Sequence, residues 1–364
     1  MPYSITKLRC VFWLFVTSLG LAVAGCNGVV PAGDANNTEN AGNSGNDTTG
    51  GNTTSGMSVP APPAGKLYFG VFPGDETREA LEDDISLALV QAFEQAVGQQ
   101  VTWVYFSHNW YRSREFPTAT ASWIRDTGAI PFIRLMLRND GEQNHADPIY
   151  NLDAILSGEF DADLAAWGAA AADFSTPLLV EWGTECNGEW FSWNGVWNGR
   201  GETGGFGDPN IPDGPERFVA TYRHIVDLIR GADANNITWV FHVNAPDVPD
   251  EDWNRFENYY PGDDYVDWLG ISDYGALTPM DTGVESFRAQ LDAEYGRLAA
   301  LAADKPIIVA EMASTANNVE IPPEDWTEAA LTDLISNRWP RVVGFSWWNE
   351  AWPNDDNPAN DTNM

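Results

Sequence analysis

The chain has 364 residues, of which 53 are acidic and 19 basic, giving a formal charge of −34. A surface of that sign repels phosphate backbones and anionic membrane surfaces, which argues against nucleic acid as a partner. With 43% hydrophobic residues and 17 Trp the chain can still bury a large core, and its length suits one big domain or two ordinary ones.

In chain order, the first element is an export signal. Lys7 and Arg9 precede the apolar run VFWLFVTSLGLAVAG, which has the length of a signal-peptide core and is short for a membrane span. The run ends in Val23-Ala24-Gly25-Cys26, which resembles the bacterial lipobox. That resemblance implies removal of residues 1–25, lipid on Cys26 and a place in the bacterial cell envelope, facing the periplasm or the cell surface; an ordinary secretory signal is the alternative. Residues 26–64 hold neither Lys nor Arg and are dominated by Asn, Gly, Thr and Ser. Such a stretch cannot bury enough apolar area to offset chain entropy, so it reads as a disordered tether with a stiffer Pro-rich end. The membrane is then met only through the anchor. Of the three cysteines, Cys10 leaves with the signal and Cys26 takes the lipid, so Cys186 stands alone and no internal disulfide forms.

From Lys66 onward, runs rich in Val, Ile, Phe, Tyr and Trp recur at 66–72, 101–107, 130–137, 177–184, 236–244, 266–274, 305–313 and 342–350. Between them lie segments such as 215–232 and 284–303, whose apolar residues fall three and four apart, as in helices covering a sheet. Eight alternations predict an α/β chain of the (β/α)8 TIM-barrel class over residues 65–364. A dinucleotide fold is disfavoured because no glycine fingerprint follows the first strand. After the eighth strand only AWPNDDNPANDTNM remains, too polar for a helix, so either the chain is a fragment or the barrel lacks its last covering helix.

Reaction sites of such barrels form at the carboxyl ends of the strands, where Glu185, Asp273, Glu311 and Glu350 stand. Strands four and seven lie nearly opposite each other, so Glu185 and Glu311 can face one target across the mouth. Carboxyl groups about 5–5.5 Å apart suit retaining glycoside hydrolysis, and about 6.5–9.5 Å suits inversion. An Asn-Gly turn beside Trp190, Phe191 and Trp193 argues for a loop whose rings stack on sugar faces. His242 and Asn244 either line the cleft or pack in the core, and Trp110, with His108 and Asn109, is a candidate distal subsite. Arg134 and Arg138 each call for a carboxylate partner in so acidic a chain. The four histidines lack metal-ligand spacing and Cys186 lacks a base and an orienting group, so neither a metal, a cofactor nor a thiol nucleophile is expected.

The block Glu185-Cys186-Asn187-Gly188-Glu189-Trp190-Phe191-Ser192-Trp193, the stretch YYPGDDYVDWLGISDY at 259–274 and KPIIVAEMA around Glu311 together resemble glycoside hydrolase family 26, the β-mannanase family. The resemblance spans 66–350. It implies a retaining endo-hydrolase of a β-linked polysaccharide, β-1,4-mannan first, acting as a monomer. Glu185 is then the general acid/base, Glu311 the nucleophile and Tyr274 the tyrosine that steadies it. Asn187, Trp190, Trp193 and His242 fall among the sugar-binding positions, and Trp347 or Trp348 supplies the aromatic floor. Two positions depart from the pattern: Thr184 stands where most mannanases of the family have histidine, and Glu181 where an arginine often stands. Action on β-1,3- or mixed-linkage glucan or on β-1,3-xylan is the alternative within the family, and a non-catalytic glycan-binding lipoprotein the alternative outside it.

Overall fold

A computed structural model describes residues 59–74, 82–351 and 361–363. The signal segment, Cys26 and most of the tether lie outside the described residues. Eight parallel strands close on themselves: β1 (Tyr68–Pro73), β2 (Trp103–Asn109), β3 (Ile130–Met136), β4 (Leu178–Trp182), β5 (Ile237–Asn244), β6 (Trp268–Tyr274), β7 (Ile307–Ala313) and β8 (Val342–Asn349). Each pairs with the next, and β1 pairs with β8 from Tyr68 opposite Gly344 to Pro73 opposite Asn349. The barrel therefore has no free edge.

The helices are α1 (Leu87–Val97), α2 (Thr118–Asp126), α3 (Leu152–Leu156), α4 (Asp161–Phe174), α5 (Asp213–Gly231), α6 (Phe287–Leu301) and α7 (Pro323–Ile335). Local chemistry marks their starts. Ser86, Asn151 and Ser286 each cap an amino end by accepting a backbone N–H, and Pro323 opens α7, where its missing N–H costs nothing. On α5 the buried positions Phe218, Tyr222, Ile225, Val226 and Ile229 repeat three and four apart, so one stripe faces the strands. Because both faces of a parallel sheet are covered, the strands are buried almost throughout.

Among the described residues no helix follows β8. Instead residues 361–363 strap the carboxyl ends of β7 and β8. The Thr362 hydroxyl donates to Trp348 O at 2.6 Å, Trp347 Nε1 donates to Thr362 O at 2.9 Å, and Ala316 N donates to Asp361 O at 2.7 Å. The opposite end is closed by aromatic packing. The Trp103 indole fills the barrel interior where Gly70 and Gly344 leave room, with the Tyr68 and Trp268 rings 5.8 and 6.4 Å away. Val59, placed in the tether by sequence, is buried here; its N–H donates to Thr238 Oγ1 at 2.9 Å.

Candidate active site

Two local irregularities aim the acidic side chains. In β7, Ser272 pairs with Glu311 while the preceding Ile271 pairs with Val309, so Ala310 is an extra residue on that strand. A bulge of this kind turns the following side chain, and here that side chain is Glu311. After β4 the chain doubles back: Gly183 has φ +70°, and a Cβ there would lie 2.4 Å from the Phe218 ring. Glu185 follows at φ +47°, a left-handed conformation that costs a non-glycine residue about 1–2 kcal/mol.

Many hydrogen bonds hold that turn. Asn187 donates through Nδ2 to Asn244 O and to Asp247 Oδ1, both at 2.9 Å, and accepts from Asn244 N at 2.7 Å. Trp193 Nε1 donates to Thr184 O, and Asn194 Nδ2 to Cys186 O, each at 2.8 Å. The Glu185 carboxylate itself accepts from Trp190 Nε1 at 2.7 Å.

Glu311 meets a denser set of partners. The Tyr274 hydroxyl lies 2.8 Å from Oε2, while the Tyr105 hydroxyl lies 3.1 Å and Arg134 Nη2 3.7 Å from Oε1. Arg134 also reaches Glu82 at 3.3 Å and Glu181 at 3.8 Å, and Glu82 in turn meets Arg138 at 3.0 Å. Glu181 is fully buried; it touches the Tyr105 hydroxyl at 2.5 Å and His242 Nδ1 at 2.9 Å. The other His242 nitrogen is taken by Ser272 Oγ at 2.8 Å. Alternating cations and anions from β3, β4, β5 and β7, joined by the neutral Tyr105 hydroxyl of β2, thus form one layer beneath the mouth, which is how buried charge is tolerated.

The titrations follow from this layer. Burial pushes the Glu311 carboxyl up, Arg134 pulls it back and the Glu185 charge adds to the rise, leaving it at about 7. Burial also raises Glu181, but the His242 imidazolium, Arg134 and the Tyr105 hydroxyl outweigh it and hold the group below the ordinary carboxylate range. His242 answers in the opposite sense: burial lowers it, and Glu181 more than restores it. Burial and the neighbouring carboxylates keep Tyr105 and Tyr274 protonated as hydroxyl donors.

Oxygen and nitrogen atoms of Glu181, His242 and Glu311 fall within 4.8 Å of one another, a spacing compatible with a metal ion. The donor set argues otherwise, since His242 already binds Glu181 directly and the Arg134 guanidinium stands against both glutamates.

Of the positions singled out by sequence, Glu185, Glu311, Tyr274, Trp190 and Trp348 converge on the mouth. Trp348 packs flat on Phe72 at 3.9 Å and over the Arg134 guanidinium at 5.3 Å, whereas the Trp347 indole is turned to Thr362. Four other expected sugar contacts lie inside the protein. Trp193 is 2% exposed and stacked on Phe191 at 4.5 Å; Trp110 is 2% exposed against Tyr150 and Phe160. Asn187 and His242 are fully buried with their polar atoms engaged inside the protein. Asn187 braces the loop, His242 belongs to the charged layer, and the Trp110 and Trp193 rings pack on neighbouring aromatic rings. Thr184 is likewise buried, its hydroxyl 2.8 Å from His242 Nδ1. Sequence reasoning missed Tyr105 and Glu82, and it saw Arg134 without knowing which carboxylates it meets. The signal for Glu181 was present, as an acid inside the apolar run PLLVEWGT.

A closed parallel barrel with two glutamates brought to its carboxyl-terminal mouth by strands four and seven defines a (β/α)8 enzyme-type scaffold. A Bacillus subtilis mannanase structure shares this fold, with a TM-score of 0.55 and 19% identity over 81% of this chain and 84% of that one. The sequence profile of glycosyl hydrolase family 26 matches residues 150–360, and the chain belongs to that family. Among characterised relatives, endoglucanase H of Acetivibrio thermocellus is 26% identical over 267 residues, covering 73% of this chain. Mannan endo-1,4-beta-mannosidase A and B of Caldalkalibacillus mannanilyticus is 26% identical over 174 residues, covering 46% of it. The chain spans 27% of the length of each of those two proteins.

Proposed function

We propose that the barrel is a retaining endo-hydrolase of a β-linked polysaccharide, with β-1,4-mannan as its first substrate. One observation carries the reading: Glu311, placed by a bulge and flanked by Tyr274, Tyr105 and Arg134, shares the mouth with Glu185. Ionised Glu311 attacks the anomeric carbon while Glu185 protonates the departing oxygen. A proton on Glu185 removes the like charge that raises Glu311. In the second half, Glu185 takes a proton from water and the water oxygen displaces Glu311 from the sugar, restoring the anomeric configuration.

Glucan is the second reading, supported by two observations. The relative aligned over most of this chain is called an endoglucanase, and Thr184 is buried against His242 where a mannanase histidine is expected. The lipobox-like Val23-Ala24-Gly25-Cys26 supports anchoring in the bacterial cell envelope through Cys26. Val59 enters the barrel at the end opposite the mouth, an arrangement suited to a tether that leaves the mouth facing away from its anchor.

A reducing-sugar screen of residues 59–364 against galactomannan, glucomannan, lichenan, laminarin and xylans tests the reading. Release from mannan with β-configured first products by NMR is expected. Binding without release over long incubation would identify a glycan-binding protein instead.

A further inference from the structure

Two carboxylates compete for one hydrogen beneath the mouth. The Tyr105 oxygen lies 2.5 Å from Glu181 Oε1 and 3.1 Å from Glu311 Oε1. A phenol has a single hydrogen to donate. An O–H···O hydrogen bond spans about 2.5–3.0 Å, a range that holds the contact of Tyr105 to Glu181 and that of Tyr274 to Glu311 at 2.8 Å but not that of Tyr105 to Glu311. His242 Nδ1 at 2.9 Å and Arg134 Nε at 3.8 Å keep Glu181 an anion able to hold that hydrogen. The Tyr105 oxygen therefore turns a lone pair toward Glu311 Oε1.

We propose that Glu181 is a positioning residue for the nucleophile: it keeps the Tyr105 hydrogen on its own side and leaves Glu311 with one hydroxyl donor, Tyr274. Glu181 is fully buried and touches no substrate; it acts through Tyr105. The consequence is chemical. An anion short of one donor is poorly stabilised in the free enzyme, and its charge vanishes when it bonds to the sugar. The missing hydrogen bond thus penalises the ground state and spares the covalent intermediate, which lowers the barrier to attack. The arrangement belongs to this chain's own departure at position 181, because the guanidinium comes from β3 and β4 supplies a carboxylate. The groups that face Glu311 are Tyr105 from β2, Arg134 from β3, Glu181 and Glu185 from β4 and its loop, His242 from β5 and Tyr274 from β6. Beyond Arg134 stand Glu82 and Arg138.

The inference rests on Glu311 being the nucleophile, and a double-variant cycle tests it. The readout is the acid limb of kcat/KM, which reports titration of the free enzyme. In the native background Tyr105→Phe removes a lone pair from Glu311, so the limb stays or moves to lower pH. In a Glu181→Gln background the neutral amide is the weaker acceptor and the hydroxyl turns to Glu311. Adding Tyr105→Phe there moves the limb up by about one pH unit, the worth of one charge-assisted hydrogen bond. Any direct effect of Glu181→Gln through His242 cancels in the cycle. Equal upward shifts in both backgrounds overturn the proposal, including the case in which Glu181 only supports the fold.

Neutron diffraction on the unaltered protein reads the same point without any variant. Deuterium between Tyr105 Oη and Glu181 Oε1 is expected, and deuterium on the Glu311 side overturns the assignment. Absence of hydrolysis by the native chain, by contrast, counts against Glu311 as nucleophile while the neutron map still decides where the hydrogen lies.

Discussion

The two ends of the barrel solve opposite problems with the same strands. At the amino-terminal end Trp103, Tyr68, Trp268 and Val59 close the interior with rings and methyl groups, and the Trp103 indole N–H donates to Ser346 Oγ at 2.8 Å. At the carboxyl-terminal end the interior holds Arg134, Glu181, His242 and Glu311, each nearly inaccessible to water and each dependent on the others. Apolar burial at the first end stabilises the barrel outright. Burial at the second costs free energy that the ion pairs only offset, and in return gives a carboxylate whose protonation is set by its neighbours. Fold stability and chemistry are thus separated along one axis, which makes each end separately breakable.

The sharpest way to break the comparison is Glu311→Ala, which should reduce turnover about a thousandfold or more while the barrel stays folded by circular dichroism. Retention of near-native hydrolysis would remove Glu311 from the mechanism. At the other end, Trp103→Ala should cost about 3–5 kcal/mol in chemical denaturation, because the space left between Gly70 and Gly344 cannot close. The acid limb of kcat/KM should not move in that variant. A shift would mean that the two ends are coupled.

A third test uses the sign of a titration. The Glu311 carboxyl titrates at about 7 in the folded protein, well above the ordinary value it has when unfolded. The folded state therefore holds the proton more tightly, so stability present below about pH 4 is lost as pH rises to about 7. Glu311→Gln cannot ionise. It should be more stable than the native protein above pH 7, by on the order of 2 kcal/mol, with the margin vanishing near pH 4 in thermal melts. An equal margin at both pH values would show that Glu311 does not titrate as described. The smallest effect is expected from Tyr274→Phe: loss of the 2.8 Å donor favours the neutral carboxyl and moves the acid limb up by about one pH unit.

The amino-terminal end was legible in the sequence because burial leaves a pattern. Runs such as VTWVYFS and IPFIRLML announce strands whatever their partners are, and the observed bounds differ from the expected ones by two residues or fewer at each end. Glu185 and Glu311 were legible because a strand end followed by a turn is where side chains can meet a ligand. The charged layer was not. Whether Arg134 pairs with Glu82, Glu181 or Glu311 depends on which side chains meet across the barrel axis, and a bulge at Ala310 that turns one of them has no sequence mark. For the same reason Trp193 and His242 looked like ligand contacts: aromatic and polar residues beside a loop serve equally to brace it. Thr362 in the polar tail gave no hint that it would be buried across β8.

The most direct measurement is mass spectrometry of the protein after reaction with an activated 2-deoxy-2-fluoro glycoside of whichever glycan the screen selects. The fluorine slows loss of the covalent intermediate, so the sugar should be found as an ester on Glu311, in the peptide that contains KPIIVAEMA. An ester on a different residue, or steady turnover of the natural glycan with inverted products and no ester, would contradict the account.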